Sequence, residues 1–299
     1  MAQRILIVSH LKPDGDAIGA SLALKLGLQS LGKAVEVALL DAPPDRLSFL
    51  PHFFSIRGEF APQDFDMVVL VDCGDWSRTG FFADTELHID WPQSLVIIDH
   101  HAIQSLTPGV HIVDATASSA SELIFYILER WGIEITKDIA TCLLVGISTD
   151  TGSFQHTNTS RAVLQMAGVL MGRGANLGKI TRCVYADKSL PRLKLWGRVL
   201  QKMQWNQRWS ILVALITAQD LIDCGATDGD LEGVIDLMRT VPYAKAVILG
   251  SERGMEFKFN LRTEAMDVDV SRLAALMGGG GHMKAAGFSI PALEMPDIS

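Results

Sequence analysis

The chain has 299 residues and a formal net charge of −8, with 48% hydrophobic and 20% charged residues. This composition excludes an intrinsically disordered chain, because enough apolar surface is present to form a core, and the length favours two domains. The negative charge argues against a general binder of long nucleic acids, which need broad basic surfaces, but it allows a short anionic ligand at a site that holds cations.

The first half alternates short apolar runs with longer helical patterns, which is typical of parallel strands joined by crossover helices. The apolar runs cover residues 5–9, 35–40, 67–71 and 95–98, and the helical patterns cover residues 17–31, 121–131 and 138–147. Strands that are apolar on both faces need helices on both sides. The sequence therefore predicts a doubly wound α/β domain with a mainly parallel sheet over residues 1–187.

The second half begins with a helical pattern at residues 188–204, with Lys and Arg on one side and Leu on the other. We interpret it as a connecting helix, followed by a smaller α/β domain over residues 205–299. The elements predicted for this domain are a strand at 210–216, a helix at 230–240, a hairpin at 245–262 turning at 252–254, and a final helix before a GGGGH segment.

Four cysteines occur without a CxxC pair, namely Cys73, Cys142, Cys183 and Cys224. This pattern is typical of a reducing compartment, where cysteines pack as small apolar side chains. The segment MAQRILIVSH at the start lacks the apolar region of a signal peptide, and no later stretch has the roughly 18 apolar residues that a membrane span requires. We therefore expect a soluble, cytoplasmic protein without a membrane partner.

Acidic and imidazole side chains follow the apolar runs at the points where the strands end. They are His10, Asp14 and Asp16 after the first run, Asp72 after another, Asp99, His100 and His101 after a third, and Asp150 after a helix. In open parallel sheets, ligands bind beyond the carboxyl ends of the strands, where separate loops converge. These groups are therefore expected to become neighbours in the fold.

A cluster of carboxylates and imidazoles indicates a metal centre, because without cations the charges would repel one another or remain unpaired. Imidazole and carboxylate donors without thiolate favour Mn²⁺ over the alternatives Mg²⁺, Co²⁺ and Fe²⁺. Two ions about 4 Å apart could share one carboxylate and hold a bridging hydroxide for in-line attack on phosphorus. The sequence therefore predicts a two-metal hydrolase.

Six segments also resemble a known family. HLKPDGDAIGASLAL, LVDCGDWSRTG, IDHH and GISTDTGSF resemble the four motifs of the DHH phosphoesterases, and FNLRT and GGGGHMKAAGFSI resemble the associated DHHA1 domain. Their order and spacing agree over nearly the whole chain. The likeness is greatest to the nanoRNase and pAp-phosphatase branch, whose members cleave short oligoribonucleotides, linear dinucleotides and 3′-phosphoadenosine 5′-phosphate.

The resemblance implies a role for each acidic and imidazole residue of the cluster. The implied metal ligands are His10, Asp14, Asp16, Asp72, His100 and Asp150. Of these, His10 and Asp14 would hold one ion. Asp16, His100 and Asp150 would hold the other, and Asp72 would bridge the two ions. His101 would face the substrate and stabilise or protonate the phosphate oxygens, and Asp99 would orient the two histidines from behind.

Substrate contacts are predicted mainly in the second domain. The candidates are Arg78, Asn158, Arg262, Gly279, Gly280, Gly281 and His282. Consecutive glycines let the backbone approach a ligand closely and offer amide donors. Arg262 would hold a non-reacting terminal phosphate with its paired donors, while His282 would stack on a base or bind a phosphate.

Taken one at a time, several of these residues also have a structural explanation. His10 could be a loop histidine, and Asp150 could cap the turn at Gly152. Residues 278–281 could end a helix, and Arg262 could be a solvated strand residue. The HxxxDxD spacing and the recurrence of similar groups at other strand ends favour the metal site.

The resemblance implies a phosphodiesterase and phosphatase acting on small nucleotides, with the active site in the cleft between the two domains. An inorganic pyrophosphatase or polyphosphatase is a second enzymatic interpretation, although it predicts a basic cluster in the second domain. A non-catalytic nucleotide sensor is a third, against which the complete ligand set argues. The sequence leaves open the physiological substrate and whether the protein is a monomer or a homodimer.

Overall fold

The computed structural model describes residues 2–81, 94–101, 108–186 and 188–292. The chain forms two compact units, Met1–Asp187 and Lys188–Ser299.

The first unit contains a six-stranded sheet in which all strands are parallel. Its strands are β1 (Arg4–Val8), β2 (Ala34–Ala38), β3 (Ile56–Arg57), β4 (Met67–Val71), β5 (Leu95–Asp99) and β6 (Val110–Val113). They lie in the order β3-β2-β1-β4-β5-β6. Along β1, Ile5 and Ile7 pack into the core on one face of the sheet and Leu6 and Val8 into the core on the other. The predicted α/β fold with a parallel sheet covered on both faces is therefore confirmed.

Five α-helices accompany this sheet in the described residues: α1 (Gly15–Ser30), α2 (Ala120–Arg130), α3 (Lys137–Asp150), α4 (Arg161–Gly172) and α5 (Leu177–Thr181). Asp14 caps α1 by accepting the backbone N–H groups of Asp16 and Ala17. Helix α1 packs closely on α3 because Gly19 lies against the carbonyl oxygen of Cys142, where a Cβ atom would not fit. This close packing brings the start of α1 and the end of α3 to the same part of the unit.

The second unit contains a mixed six-stranded sheet in the order β11-β12-β10-β9-β8-β7, with β8 and β9 parallel and the other neighbours antiparallel. Its strands are β7 (Gln204–Asn206), β8 (Ile211–Ile216), β9 (Ala246–Arg253), β10 (Glu256–Arg262), β11 (Gly280–His282) and β12 (Ala285–Pro291). Its α-helices are α6 (Leu190–Gln201), α7 (Ala218–Cys224), α8 (Val234–Met238) and α9 (Val270–Leu276).

Three boundaries predicted for this unit are wrong in detail. The connecting helix ends at Gln201, and residues 204–206 form β7 instead. The helix expected at 230–240 is reduced to α8, because Gly233 adopts a left-handed conformation with φ 84° directly before it. The hairpin turns at Gly254 and Met255, since Arg253 already pairs with Glu256.

Asp220 joins α6 to α7 in the second unit. Its buried carboxylate accepts hydrogen bonds from Arg198 Nη1 at 2.9 Å, from Lys202 Nζ at 2.5 Å and from the backbone N–H of Thr217 at 2.9 Å. Burial alone would raise the pKa of Asp220, but the bonds from Lys202 and Thr217 lower it to about 2. The ionised carboxylate therefore stabilises the folded unit.

We expect Asp220→Ala to lower the free energy of unfolding by about 2–3 kcal/mol, because a helix cap and charged hydrogen bonds are lost together. The folded pKa lies below the ordinary value of 3.8. The contribution is therefore complete above that value and is lost as the pH falls towards 2. Urea unfolding at neutral pH measures the loss.

Asp223→Ala is the control. The half-exposed carboxylate of Asp223 lies 3.9 Å from Arg198, and its loss is expected to change the free energy of unfolding by less than about 0.5 kcal/mol. Equal stability of the two variants would contradict this role.

Candidate metal and active site

The candidate site lies at the carboxyl ends of β1, β4 and β5. The strand order reverses between β1 and β4, and in open α/β sheets this reversal creates the crevice in which ligands bind. His10 follows β1, Asp72 follows β4, and Asp99 ends β5 immediately before His100. Side chains far apart in the sequence thus meet at one edge of the sheet.

Asp72 lies between two histidines at the centre of the site. Its side chain is almost completely buried, and its backbone adopts a left-handed conformation with φ 54°. Its Oδ2 atom lies 3.4 Å from His10 Nε2, and its Oδ1 atom lies 3.5 Å from His100 Nε2. Each oxygen of one carboxylate therefore faces a different imidazole, which is the geometry required of a bridging ligand.

The first group of candidate ligands is His10, Asp14 and Asp72, whose donor atoms lie within 4.8 Å of one another. His10 Nδ1 donates to the carbonyl of Leu11 at 2.7 Å. In the neutral ring, the lone pair of its Nε2 atom therefore faces Asp72 and could be given to a cation. The Oδ1 atom of Asp14 accepts the N–H groups at the start of α1, which fixes the direction of its other oxygen.

The second group is Asp16, His100 and Asp150, with donor atoms again within 4.8 Å of one another. His100 Nε2 lies 3.0 Å from Asp150 Oδ2, and Asp150 is the last residue of α3. The carboxylate of Asp16 is completely buried and accepts the N–H groups of Ala120 at 2.6 Å and Ser121 at 3.0 Å. The start of α2 therefore fixes the orientation of Asp16.

His101 stands beside these groups and is held by Asp99. Its Nδ1 atom and its backbone N–H both donate to Asp99 Oδ1, at 2.8 and 3.0 Å. Asp99 is fully buried, whereas 48% of the His101 side chain is exposed. With Nδ1 engaged, the Nε2 atom of His101 is the ring nitrogen left to meet a ligand.

The electrostatics of the site indicate that a cation fits among these residues. Burial and repulsion from Asp72 raise the pKa values of Asp16 and Asp150. Burial alone would lower the pKa of His100, but Asp150 and Asp72 raise it to about 11. Burial would likewise raise the pKa of Asp72, yet His10 and His100 lower it to about 2. A divalent ion would relieve the same repulsion without these protons.

Two buried polar atoms also indicate that a divalent cation fits among these residues. The Oδ1 atom of Asp72 and the Nε2 atom of His100 make no well-directed hydrogen bond to any described residue, although they lie close to each other. Buried polar atoms in folded proteins nearly always have a partner. The described residues therefore contain acidic and imidazole groups that could hold metal ions.

Two further candidates in the first unit, Arg78 and Asn158, differ in their surroundings. Arg78 is exposed in the turn after β4, and its carbonyl accepts the N–H of Leu11 at 2.7 Å. Asn158 uses its amide nitrogen within the protein, since Nδ2 donates to the carbonyls of Ser118 at 3.1 Å and Asp150 at 3.2 Å. The substrate contacts predicted for both residues stay predictions.

The candidates of the second unit lie together at one end of its sheet. Arg262 on β10 and His282 on β11 are both in register with Ala285 on β12. His282 is exposed, and Arg262 Nη1 donates to the carbonyl of Leu261 at 3.0 Å. A guanidinium and an imidazole are thus brought close to the same backbone position.

Packing explains part of the glycine run. A Cβ atom on Gly279 would meet the carbonyl oxygen of Gly287, and one on Gly281 would lie 2.5 Å from the Cα atom of Ala286. Gly280 meets nothing within 4 Å. The close approach of this segment to β12 therefore requires glycine at positions 279 and 281. The sequence did not indicate this structural role. The predicted role of the glycines in binding a ligand stays a prediction.

Comparison with known proteins places these observations in a wider context. A family model described as "DHH family, N-terminal domain" matches residues 4–147. A bifunctional oligoribonuclease and PAP phosphatase NrnA of Thermus thermophilus is 32% identical over 97% of this chain and 85% of its own length. A protein of the same name from Bacillus subtilis is 24% identical over 98% of this chain and 91% of its own.

A solved structure is similar as well. The crystal structure of an exopolyphosphatase-related protein from Bacteroides fragilis matches with a TM-score of 0.89 at 30% identity, covering 96% of this chain and 87% of that one. The likeness thus extends over nearly the whole chain. Among the described residues, no helix combines the length and the apolar character needed to cross a membrane.

Proposed function

We propose, because the chain belongs to the DHH family of phosphoesterases, that it hydrolyses short oligoribonucleotides, linear dinucleotides and 3′-phosphoadenosine 5′-phosphate. The observation that carries this proposal is the gathering of two ligand groups around Asp72 at the reversal of strand order. The name of the Thermus thermophilus relative supports the choice of substrates.

We propose that the cluster holds two divalent ions, with Mn²⁺ as the natural ion and Mg²⁺ or Co²⁺ as alternatives. Imidazole and carboxylate donors without thiolate match these ions. The first ion would be held by His10, Asp14 and Asp72. The second would be held by Asp16, His100 and Asp150, with Asp72 shared between the two. When bound, such ions neutralise phosphate charge and lower the pKa of water.

In this proposal, His101 acts directly on the substrate. Its Nδ1 atom donates to Asp99, which fixes the ring in one orientation. In its imidazolium form the ring can also donate from Nε2 to a phosphate oxygen. Asp99 is fully buried and acts only through His101. A charge-assisted donor at this position would stabilise the negative charge that develops on the oxygen during hydrolysis.

The second unit would recognise the remainder of the nucleotide. Arg262 presents paired donors that suit a terminal phosphate, and His282 presents an exposed ring that can stack on a base or donate to a phosphate. Their shared register with Ala285 supports a joint role in binding one small ligand.

The proposal is tested by incubating the metal-loaded protein with pApA, with 3′-phosphoadenosine 5′-phosphate, with pyrophosphate and with tripolyphosphate, each with Mn²⁺, Mg²⁺ or Co²⁺. We expect AMP alone from pApA, AMP and inorganic phosphate from 3′-phosphoadenosine 5′-phosphate, and the fastest turnover with Mn²⁺, as measured by anion-exchange chromatography. Wild-type protein with excess chelator is the control and should form no product.

Two other outcomes would contradict this function. Faster hydrolysis of tripolyphosphate than of either nucleotide would favour a polyphosphatase, an activity suggested by the name of the Bacteroides fragilis protein. Tight binding of pApA without any product would favour a non-catalytic sensor.

A further inference from the structure

A single turn, at the start of α2, contacts the carboxylate of Asp16 directly and is linked through Asn158 to the backbone carbonyl of Asp150. The N–H groups of Ala120 and Ser121 donate to the carboxylate of Asp16. The carbonyl of Ser118, at the start of the same turn, accepts a hydrogen bond from Asn158 Nδ2 at 3.1 Å. The same nitrogen donates to the carbonyl of Asp150 at 3.2 Å. Asn158 therefore connects the residue that ends α3 to the turn that orients Asp16.

The turn is also held from its other side. Glu122 Oε2 accepts the N–H of Ser118 at 2.7 Å, and the Ser119 hydroxyl oxygen accepts the N–H of Glu122 at 3.1 Å. Glu122 is buried. The peptide groups of Ser118 are thus held at the N–H by Glu122 and at the carbonyl by Asn158, which gives the turn a defined position.

The segment between Asp150 and Asn158 has an unusual backbone. Gly152, Ser153 and Phe154 have φ values of 56°, 58° and 66°, so three successive residues are left-handed. Residues with a Cβ atom rarely adopt this conformation. Such a segment persists only when surrounding contacts hold it, and the bond from Asn158 to the carbonyl of Asp150 closes it.

Donation to a phosphate by the amide nitrogen of Asn158 does not match this geometry. A carboxamide nitrogen carries two hydrogens, and two carbonyls of the protein, those of Ser118 and Asp150, accept hydrogen bonds from it. No donor of that nitrogen is left for a phosphate. The side chain is nevertheless exposed, so its removal should not open a cavity in the core.

We infer that Asn158 is a positioning residue, which fixes Asp150 relative to Asp16 and thereby sets the affinity of the second ligand group for its divalent ion. This inference rests on the proposed function only in taking Asp16, His100 and Asp150 as a metal site. Glu122 acts in the same way from the opposite side of the Ser118 peptide.

The test is a Mn²⁺ titration of the protein without substrate, followed by electron paramagnetic resonance. We expect Asn158→Ala to weaken one of two Mn²⁺ sites by about 10–100-fold, the usual effect of losing a contact behind a metal ligand. Glu122→Ala should weaken the same site, whereas Glu122→Gln, which keeps an acceptor for Ser118, should restore the affinity. Thr157→Ala, at the exposed neighbouring position, is the matched control and should bind as wild type.

Kinetics at saturating Mn²⁺ separate this role from direct substrate contact. We expect Asn158→Ala to recover most of its kcat at high Mn²⁺, with KM for pApA unchanged. Unchanged Mn²⁺ affinities together with a raised KM would overturn the inference. Because the titration needs no substrate, a protein that hydrolyses none of the nucleotides but loses Mn²⁺ affinity in Asn158→Ala would refute the proposed function and leave the inference standing.

Discussion

Asp72→Asn should reduce kcat for pApA and for 3′-phosphoadenosine 5′-phosphate by at least about 10³-fold, since metal ions contribute several kcal/mol of transition-state stabilisation. Asp72 is the one described carboxylate whose two oxygens face different imidazoles, those of His10 and His100. The substitution keeps the shape of the side chain but removes the negative charge that both candidate ions would share.

The control for this experiment is Asp114→Asn. Asp114 follows β6 as Asp72 follows β4, but it is exposed and accepts hydrogen bonds from Thr116 instead of facing a histidine. We expect its activity to stay within about twofold of wild type, as surface substitutions usually have small effects. Circular dichroism should show that both variants keep the fold. Wild-type turnover in Asp72→Asn would refute the proposed role of this residue.

Gly146→Ala should damage both the fold and the metal site. Gly146 lies on α3, and a Cβ atom there would overlap the carboxylate of Asp16 and the hydroxyl of Ser121. Asp16 cannot move away easily, because it is fully buried and accepts two backbone N–H groups. Ser121 is also fully buried. Overpacking of a tight core costs about 1–3 kcal/mol, and displacement of Asp16 should weaken Mn²⁺ binding by more than about tenfold.

Gly168→Ala is the matched control for Gly146→Ala. Gly168 lies on α4, and a Cβ atom there meets nothing within 4 Å. Alanine is a better helix former, so this variant should be more stable by about 0.5–1 kcal/mol. Urea unfolding and Mn²⁺ titration compare the two. If Gly146→Ala matched Gly168→Ala in stability and bound Mn²⁺ as wild type does, the close approach of α3 to Asp16 would be required neither for stability nor for metal binding.

The positions of His10, Asp72 and His100 were predictable because a parallel sheet brings the carboxyl ends of its strands to one edge. The short apolar runs of the sequence located those strands, and the residues that follow each run can be identified directly from the sequence. The six motifs also predicted the family, which the match to residues 4–147 and the relative from Thermus thermophilus confirm.

The support behind the site was not predictable in the same way. Asp16 meets the N–H groups of Ala120 and Ser121 across 104 and 105 residues of chain. No local pattern indicates which backbone N–H groups a carboxylate will find. The donors of Asn158 are likewise used by Ser118 and Asp150, a pairing that depends on the packing of α2 against α3.

Helix α4 is absent from the elements predicted above, although the sequence contains its signals. Ser160 caps it, and its buried residues are Val163, Met166, Ala167 and Leu170. Their spacing is the usual one for a helix with a single buried face. By contrast, the break at Gly233 depends on a left-handed backbone that a glycine permits but does not require.

The central claim is that sequence-distant side chains form one cage for two divalent ions. Its most direct test is anomalous diffraction from crystals of the Mn²⁺-loaded protein, collected at the manganese absorption edge. We predict two peaks that share Asp72, one beside His10 and Asp14 and the other among Asp16, His100 and Asp150. A single peak, or peaks away from the carboxyl ends of β1, β4 and β5, would contradict the claim.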